Sequence, residues 1–213
     1  MLVEAVRKNP PEHRPKVFIS SSAIGIYDNF GMHDENSTAL GNDFLATVCK
    51  AWEFETDVLK KMSLRVCIVR LGIVLGTTGG TLKKMLPIFK AGLGGKIGSG
   101  VQPFSFVHIA DLCRAAEHLI THDNSSGIYN IVSPNPVTNK LFTVTLADKL
   151  HRPAFAAVPE FALRMVYGEA SGVITKGPYV KPAHLLEEGF KFRFPDISSA
   201  LDDLVNKADQ NGK

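Results

Sequence analysis

The chain has 213 residues, 24 lysines and arginines against 21 aspartates and glutamates, a net charge of +3, and 45% apolar residues. This composition suits a globular protein of one domain, or one domain with a small partner, and nothing approaches the roughly 18 unbroken apolar residues of a membrane span. The opening stretch MLVEAVRKNPPEHRPK lacks the apolar run of a signal peptide, and so small a charge without basic clusters argues against a nucleic-acid partner.

Residues 1–15 read as a helix remnant with a Pro-rich exit loop. KVFIS (16–20) is short and apolar, as a strand buried on both faces would be. The Gly-, Asn- and Asp-rich segment from Asp28 to Asp43 predicts a long loop. From Asp43 to Met62, Phe44, Val48, Trp52 and Leu59 recur at helical spacing and predict a helix, with Asn42 or Asp43 as the N-cap. RVCIVRLGIVLG (65–76) is the strongest strand signal, and TLKKMLPIFKAGLGG follows as a helix that frays into glycines. SFVHI (105–109) predicts a strand, DLCRAAEHLITH a helix capped by Asp111, GIYNIV (127–132) a strand and TNKLFTVTLADKL (138–150) a helix. Strand and helix thus alternate through the first 150 residues, which predicts an α/β layer structure with a mainly parallel sheet. From His151 onward the pattern turns to short helices, PEFALRMVYGE, KPAHLLEE and ISSALDDLV behind Asp196, read as a smaller helical unit. The three cysteines, Cys49, Cys67 and Cys113, are widely spaced with no CxxC, and read as buried, reduced thiols of a cytoplasmic protein.

A doubly wound sheet binds ligands beyond the carboxyl ends of its strands, which directs attention to Ser20, Ser21, Ser22 and Tyr27, and to Leu71–Gly76. A serine near a tyrosine at a strand end can orient a carbonyl or hydroxyl and move a proton. Equally, the serines can satisfy loop backbone groups while Tyr27 packs as a half-buried aromatic. The glycines Gly92, Gly94, Gly95, Gly98 and Gly100 serve either a close backbone approach to a ligand or a turn. Neither GxGxxG nor GxxxxGK[ST] occurs. His118 and His122 form one HxxxH without a completing carboxylate or cysteine, so no metal site is expected.

Together SSSAIGIYD, DFLATVCKAWE, RLGIVLG, GGTLKKMLPIFKAGLGGKIGSGVQPFSFVHIADL, NIVSPNPVTN and the GFKFRFPDISSAL ending resemble the extended short-chain dehydrogenase/reductase superfamily. More narrowly they are similar to its NAD(P)-dependent epimerase family subgroup with its own C-terminal domain. The resemblance implies the C-terminal portion of a Rossmann-like doubly wound parallel sheet over residues 1–150, and a small, mostly helical substrate-side domain over 151–213. It implies NADP or NAD as cofactor, with Leu71, Gly72 and Val74 beside the nicotinamide, and Ser22 and Tyr27 as hydrogen-bonding or acid/base groups. The expected function is oxidoreductase or epimerase chemistry on a small molecule; the alternative is a non-catalytic dinucleotide-binding or interaction protein, or an inactive fragment.

Three departures from the family pattern sharpen this. The chain enters the pattern about two strand–helix units in, so it is expected to be truncated, with an exposed apolar sheet edge beside KVFIS that favours a homo-oligomer. The superfamily's YxxxK is replaced by FLATVCKAWE: the tyrosine position becomes Phe44 or Leu45, the lysine position Val48 or Cys49, Lys50 is off register, and no lysine or arginine is evident beside Tyr27. Where nucleotide-sugar epimerases of the superfamily carry an arginine, this chain has Phe104 after Pro103, which implies a substrate other than a nucleotide-diphosphate sugar.

Overall fold

The computed structural model describes residues 2–62, 64–154, 156–158 and 177–210. The helix expected at PEFALRMVYGE lies outside the described residues. At the centre is strand β3 (Arg65–Leu71), whose residues Val66 to Arg70 are all buried, as its near-continuous apolar sequence requires. Strand β1 (Val17–Ala23) pairs with it in parallel on one side. On the other side β8 (Gly127–Ile131) does the same, giving the parallel order β1-β3-β8. The alternation read from the sequence is therefore present, with an α/β layer built on parallel strands.

The sheet divides at Gly72. Its N–H still reaches back to the Ile131 carbonyl at 3.2 Å, but the next N–H, of Ile73, goes to the Ser105 carbonyl at 2.9 Å. Strand β4 (Ile73–Leu75) then pairs in parallel with β7 (Phe106–His108) instead of β8. A Cβ on Gly72 would lie 2.7 Å from both the Ser105 carbonyl oxygen and Val132 Cγ1, so only glycine lets the strand pass here. This divergence opens a gap at the carboxyl end of the sheet.

Helices α4 (Gly80–Lys90), α5 (Ile109–Thr121), α6 (Asn139–Lys149) and α8 (Ile197–Gln210) cover the strands. Leu82, Leu86 and Phe89 of α4 meet Leu75, Phe106, Phe142 and Leu146, and α8 adds Leu201 and Leu204 to the same cluster. Each such buried leucine or phenylalanine contributes about 1.5–3 kcal/mol by leaving water. The cluster joins residues on both sides of position 150, so the described C-terminal helix shares its core with the strands. The short strands β5 (Gly95–Ile97) and β10 (Ala156–Val158) pair in parallel, and β6 (Pro103–Phe104) and β9 (Val137–Thr138) antiparallel. Between α6 and α8 runs β11 (Tyr179–Val180), which pairs with β2 (Met32–His33), followed by the short α7 (Ala183–Glu187) against β8.

The helix starts test the caps. Asp43 accepts from the Ala46 N–H at 2.9 Å and opens α2 (Phe44–Glu55), and Asp196 accepts from the Ser199 N–H at 2.9 Å and opens α8. Asp111 is not a cap. The helix begins earlier, and His108 Nδ1 accepts from the Ala110 N–H at 3.0 Å. Asp111 is instead wholly buried and accepts from the Arg193 and Phe194 N–H groups at 2.9 and 2.8 Å, tying the C-terminal segment to α5.

One expectation is overturned by which face a helix buries. In α2, Phe44 is 76% and Trp52 51% exposed and Val48 is half-buried, while Ala46 and Cys49 are buried. The inner face packs on β1 and on the tight turn Ile24–Ile26, where small residues fit closely. The helix also ends at Glu55, and α3 (Asp57–Lys60) follows as a separate turn that buries Leu59. Cys49 and Cys67 are buried, but Cys113 is exposed because α5 buries Asp111, Ala115 and Leu119 on its other face.

Candidate functional site

The gap left by the divergence at Gly72 is a cleft of about 350 Å³. It brings together Ser22 from β1, Leu71, Gly72 and Val74 from the divided strand, and Leu45 from α2. Thr81, Pro103, Ser105, Gly177 and Pro178 also line it. Ser105 fixes the closing segment, donating to the Pro178 carbonyl at 2.8 Å and accepting from the Val180 N–H at 3.3 Å. Four of the five residues singled out from the sequence thus line one cleft. Tyr27, at 2% exposure, is not among its lining residues. A larger, open hollow of about 570 Å³ is walled by the helices α1 (Leu2–Lys8), α2 and α3, away from the strand ends.

Behind the cleft a polar row crosses the sheet. Ser22, Arg70 and Asn130 are register partners on β1, β3 and β8. The Ser22 hydroxyl donates to Glu53 Oε1 at 2.7 Å. Arg70 donates through Nε and Nη2 to Glu53 Oε1 and Oε2 at 2.9 and 2.8 Å, a two-point fork. Its Nη1 donates to the Tyr27 hydroxyl at 2.8 Å, and that hydroxyl donates to Asn130 Oδ1 at 3.0 Å. Asn130 Nδ2 donates to the Lys181 carbonyl at 3.1 Å. The Asn130 and Ala183 N–H groups donate to the two oxygens of Glu35 at 2.8 and 3.0 Å. An unbroken chain of hydrogen bonds therefore links the cleft wall to the segment that precedes α7.

A cation does stand beside Tyr27, contrary to the sequence reading: Arg70, 43 residues away, reaches it because its register partner on β1 is Ser22, five residues before Tyr27. Burial pushes the Tyr27 phenol up, outweighing the opposing pull of Arg70, so the phenol keeps its proton and its ring stacks on His33 at 4.9 Å. Burial works against the Arg70 charge, but the Glu53 carboxylate and Tyr27 more than offset it and hold the guanidinium above its ordinary value. Burial also raises the Glu35 carboxyl, against the backbone donors that face it. The signal for this row was a lone arginine inside an apolar strand, since a buried charge needs a partner.

Other candidates fall elsewhere. Lys50 is exposed and donates to the Gly41 carbonyl at 2.6 Å. Of the α2 positions that replace the superfamily's tyrosine and lysine, Leu45 lines the cleft and Cys49 is buried. The Phe104 ring expected at the substrate side lies in the core, stacked on Phe142 at 4.2 Å, and Pro103 lines the cleft instead. Gly92, Gly98 and Gly100 have φ of 75°, 55° and 75° and serve turns. His118 bonds Glu188 at 2.7 Å, and among the described residues no group of three His, Cys, Asp or Glu side chains is placed to hold a metal ion. Nor is any helix among them long and apolar enough to cross a membrane.

A family model described as a domain of unknown function (DUF1731) matches residues 158–204. The chain is 38% identical over 202 residues to the chloroplastic epimerase family protein SDR39U1 homolog of Arabidopsis thaliana, covering 94% of this chain and 58% of that protein. An epimerase family protein of Staphylococcus epidermidis is 38% identical over 196 residues, covering 91% of this chain and 66% of that one. The chain therefore spans 58% and 66% of these curated relatives. The crystal structure of human epimerase family protein SDR39U1 (isoform 2) with NADPH superposes with a TM-score of 0.89 at 32% identity, covering 96% of this chain and 70% of that one. Sequence identity over most of a solved relative, on the same parallel sheet, places the chain in the epimerase family of SDR39U1, within the short-chain dehydrogenase/reductase superfamily.

Proposed function

We propose that this protein is an NAD(P)-dependent oxidoreductase or epimerase that works on an uncharged small molecule in the cleft at the divided strand. The observation that carries the reading is the cleft itself. It lies at the carboxyl ends of parallel strands, where this architecture places its ligands, and it gathers Ser22, Leu71, Gly72 and Val74. The human relative that shares this sheet holds NADPH. A flat pyridine ring fits walls made of Leu71, Val74 and the bare backbone of Gly72, and when bound it supplies the hydride donor or acceptor. Ser22 is the β1 hydroxyl that meets the substrate. Tyr27 and Arg70 stand one step back and hold Glu53, and through it Ser22, in place. No charged side chain lines the cleft among the described residues, which supports an uncharged substrate rather than a nucleotide-diphosphate sugar.

The sequence contains no GxGxxG turn to grip a pyrophosphate, so the contacts named here are those of the nicotinamide side. Contacts of that extent predict NADPH binding between about 100 μM and a few mM, roughly −3.5 to −5.5 kcal/mol. The test is a titration of the 213-residue chain with NADPH, followed by dihydronicotinamide fluorescence, beside Thr81→Trp. That variant puts a bulky ring at the cleft wall from a half-buried helix position and should weaken binding about fivefold or more. Identical affinity in the variant would remove the cleft from the reading.

A further inference from the structure

The Ser22 hydroxyl has one proton, and the structure commits it to Glu53 Oε1 at 2.7 Å. Both oxygens of that carboxylate also accept from the Arg70 fork. Ser22 is left with acceptor capacity alone. Ser105, the other hydroxyl placed on this wall by a strand end, is already engaged on both sides by Pro178 and Val180.

We propose that Glu53 sets the polarity of the cleft: by holding the Ser22 proton it makes that position an acceptor, so the site selects a hydroxyl-bearing ligand over a ketone of the same shape. The inference rests on the reading of the cleft as a substrate site and narrows its substrate class to alcohols. Glu53 acts through Ser22 and is a positioning residue. Reversing its hydrogen bonding should therefore reverse the preference, an effect that a merely structural role would not produce.

The test titrates the ¹⁵N-labelled full chain with cyclohexanol and, separately, cyclohexanone, reading the amides of Ala23, Leu71 and Gly72. Cyclohexanol should bind about fivefold tighter, the span of one net hydrogen bond. Ser22→Ala should bring the two probes to within about twofold. Glu53→Gln, whose amide NH₂ can donate to Oγ and free the serine proton, should shift the preference toward cyclohexanone. If Glu53→Gln fails to fold, the double variant Arg70→Met with Glu53→Gln, which strands no charge, is read in its place. A ketone preference or parity in the wild type, an alcohol preference that survives in Ser22→Ala or is unchanged in the folded Glu53 variant, or no shift at these amides with either probe at about 0.1 M would overturn the proposal. NADPH added to the same samples reports separately: an alcohol preference with no NADPH-induced shift leaves the role of Glu53 standing and removes the cofactor reading.

Discussion

Replacing Arg70 with methionine tests the polar row at its hub. The side chain is 5% exposed and donates to both oxygens of Glu53, itself 13% exposed, and to the buried Tyr27 hydroxyl. Methionine keeps most of the volume but strands a carboxylate and leaves the phenol without its donor. Removing one partner of a buried ion pair costs about 3–5 kcal/mol, and the partial access of Glu53 to water places the expected loss near 3 kcal/mol. In the double variant Arg70→Met with Glu53→Gln no charge is stranded, so it should be more stable than the sum of the single changes by about 1–2 kcal/mol. Urea unfolding followed by circular dichroism gives these differences when the slope with denaturant is unchanged. A loss below about 1 kcal/mol in Arg70→Met, or strict additivity in the double variant, would refute the claim that the row is a connected, buried network.

Further predictions concern protons, thiols and packing. Burial lowers His108 from its ordinary 6.5, and its Nδ1 must stay unprotonated to cap α5. The unfolded imidazole therefore takes its proton first, and stability should fall as pH drops below 6.5. His108→Asn, which retains a capping oxygen, should flatten that part of a pH series of unfolding midpoints, and an unchanged slope would exclude the cap as its source. One thiol, Cys113, should react rapidly with an aromatic disulfide in the native protein and all three in denaturant, because burial shields Cys49 and Cys67 and pushes their thiols up. Gly72→Ala should lower stability by about 1–3 kcal/mol, since its Cβ meets a backbone oxygen at 2.7 Å, and a thermal midpoint equal to wild type would contradict the tight passage drawn here.

The sheet was legible because its signal is local. Residues 65–71 are apolar and β-branched enough to be a central strand wherever they sit, and Gly72 marks the point where that strand changes partner. The stripe on α2 located the helix without saying which of its sides meets the sheet. There the close approach of α2 to β1 favours Ala46 and Cys49 and leaves Phe44 and Trp52 outside. Asp111 misled because its partners, the amides of Arg193 and Phe194, lie more than 80 residues away. The cleft residues Ser22, Leu71, Gly72 and Val74 follow from knowing where strands end. The Glu53–Arg70–Tyr27–Asn130 row does not, because its members come from four segments that only the sheet register brings together.

The central claim, that the cleft at the divided strand receives the nicotinamide, is tested most directly by methyl labelling of leucine and valine in the intact chain and measuring contacts with bound NADPH. Nuclear Overhauser effects should run from the nicotinamide ring protons to the methyl groups of Leu71 and Val74, and weaken together in Thr81→Trp. Effects that reach instead the methyls of Val3 and Val58, which wall the hollow between α1, α2 and α3, would contradict the account.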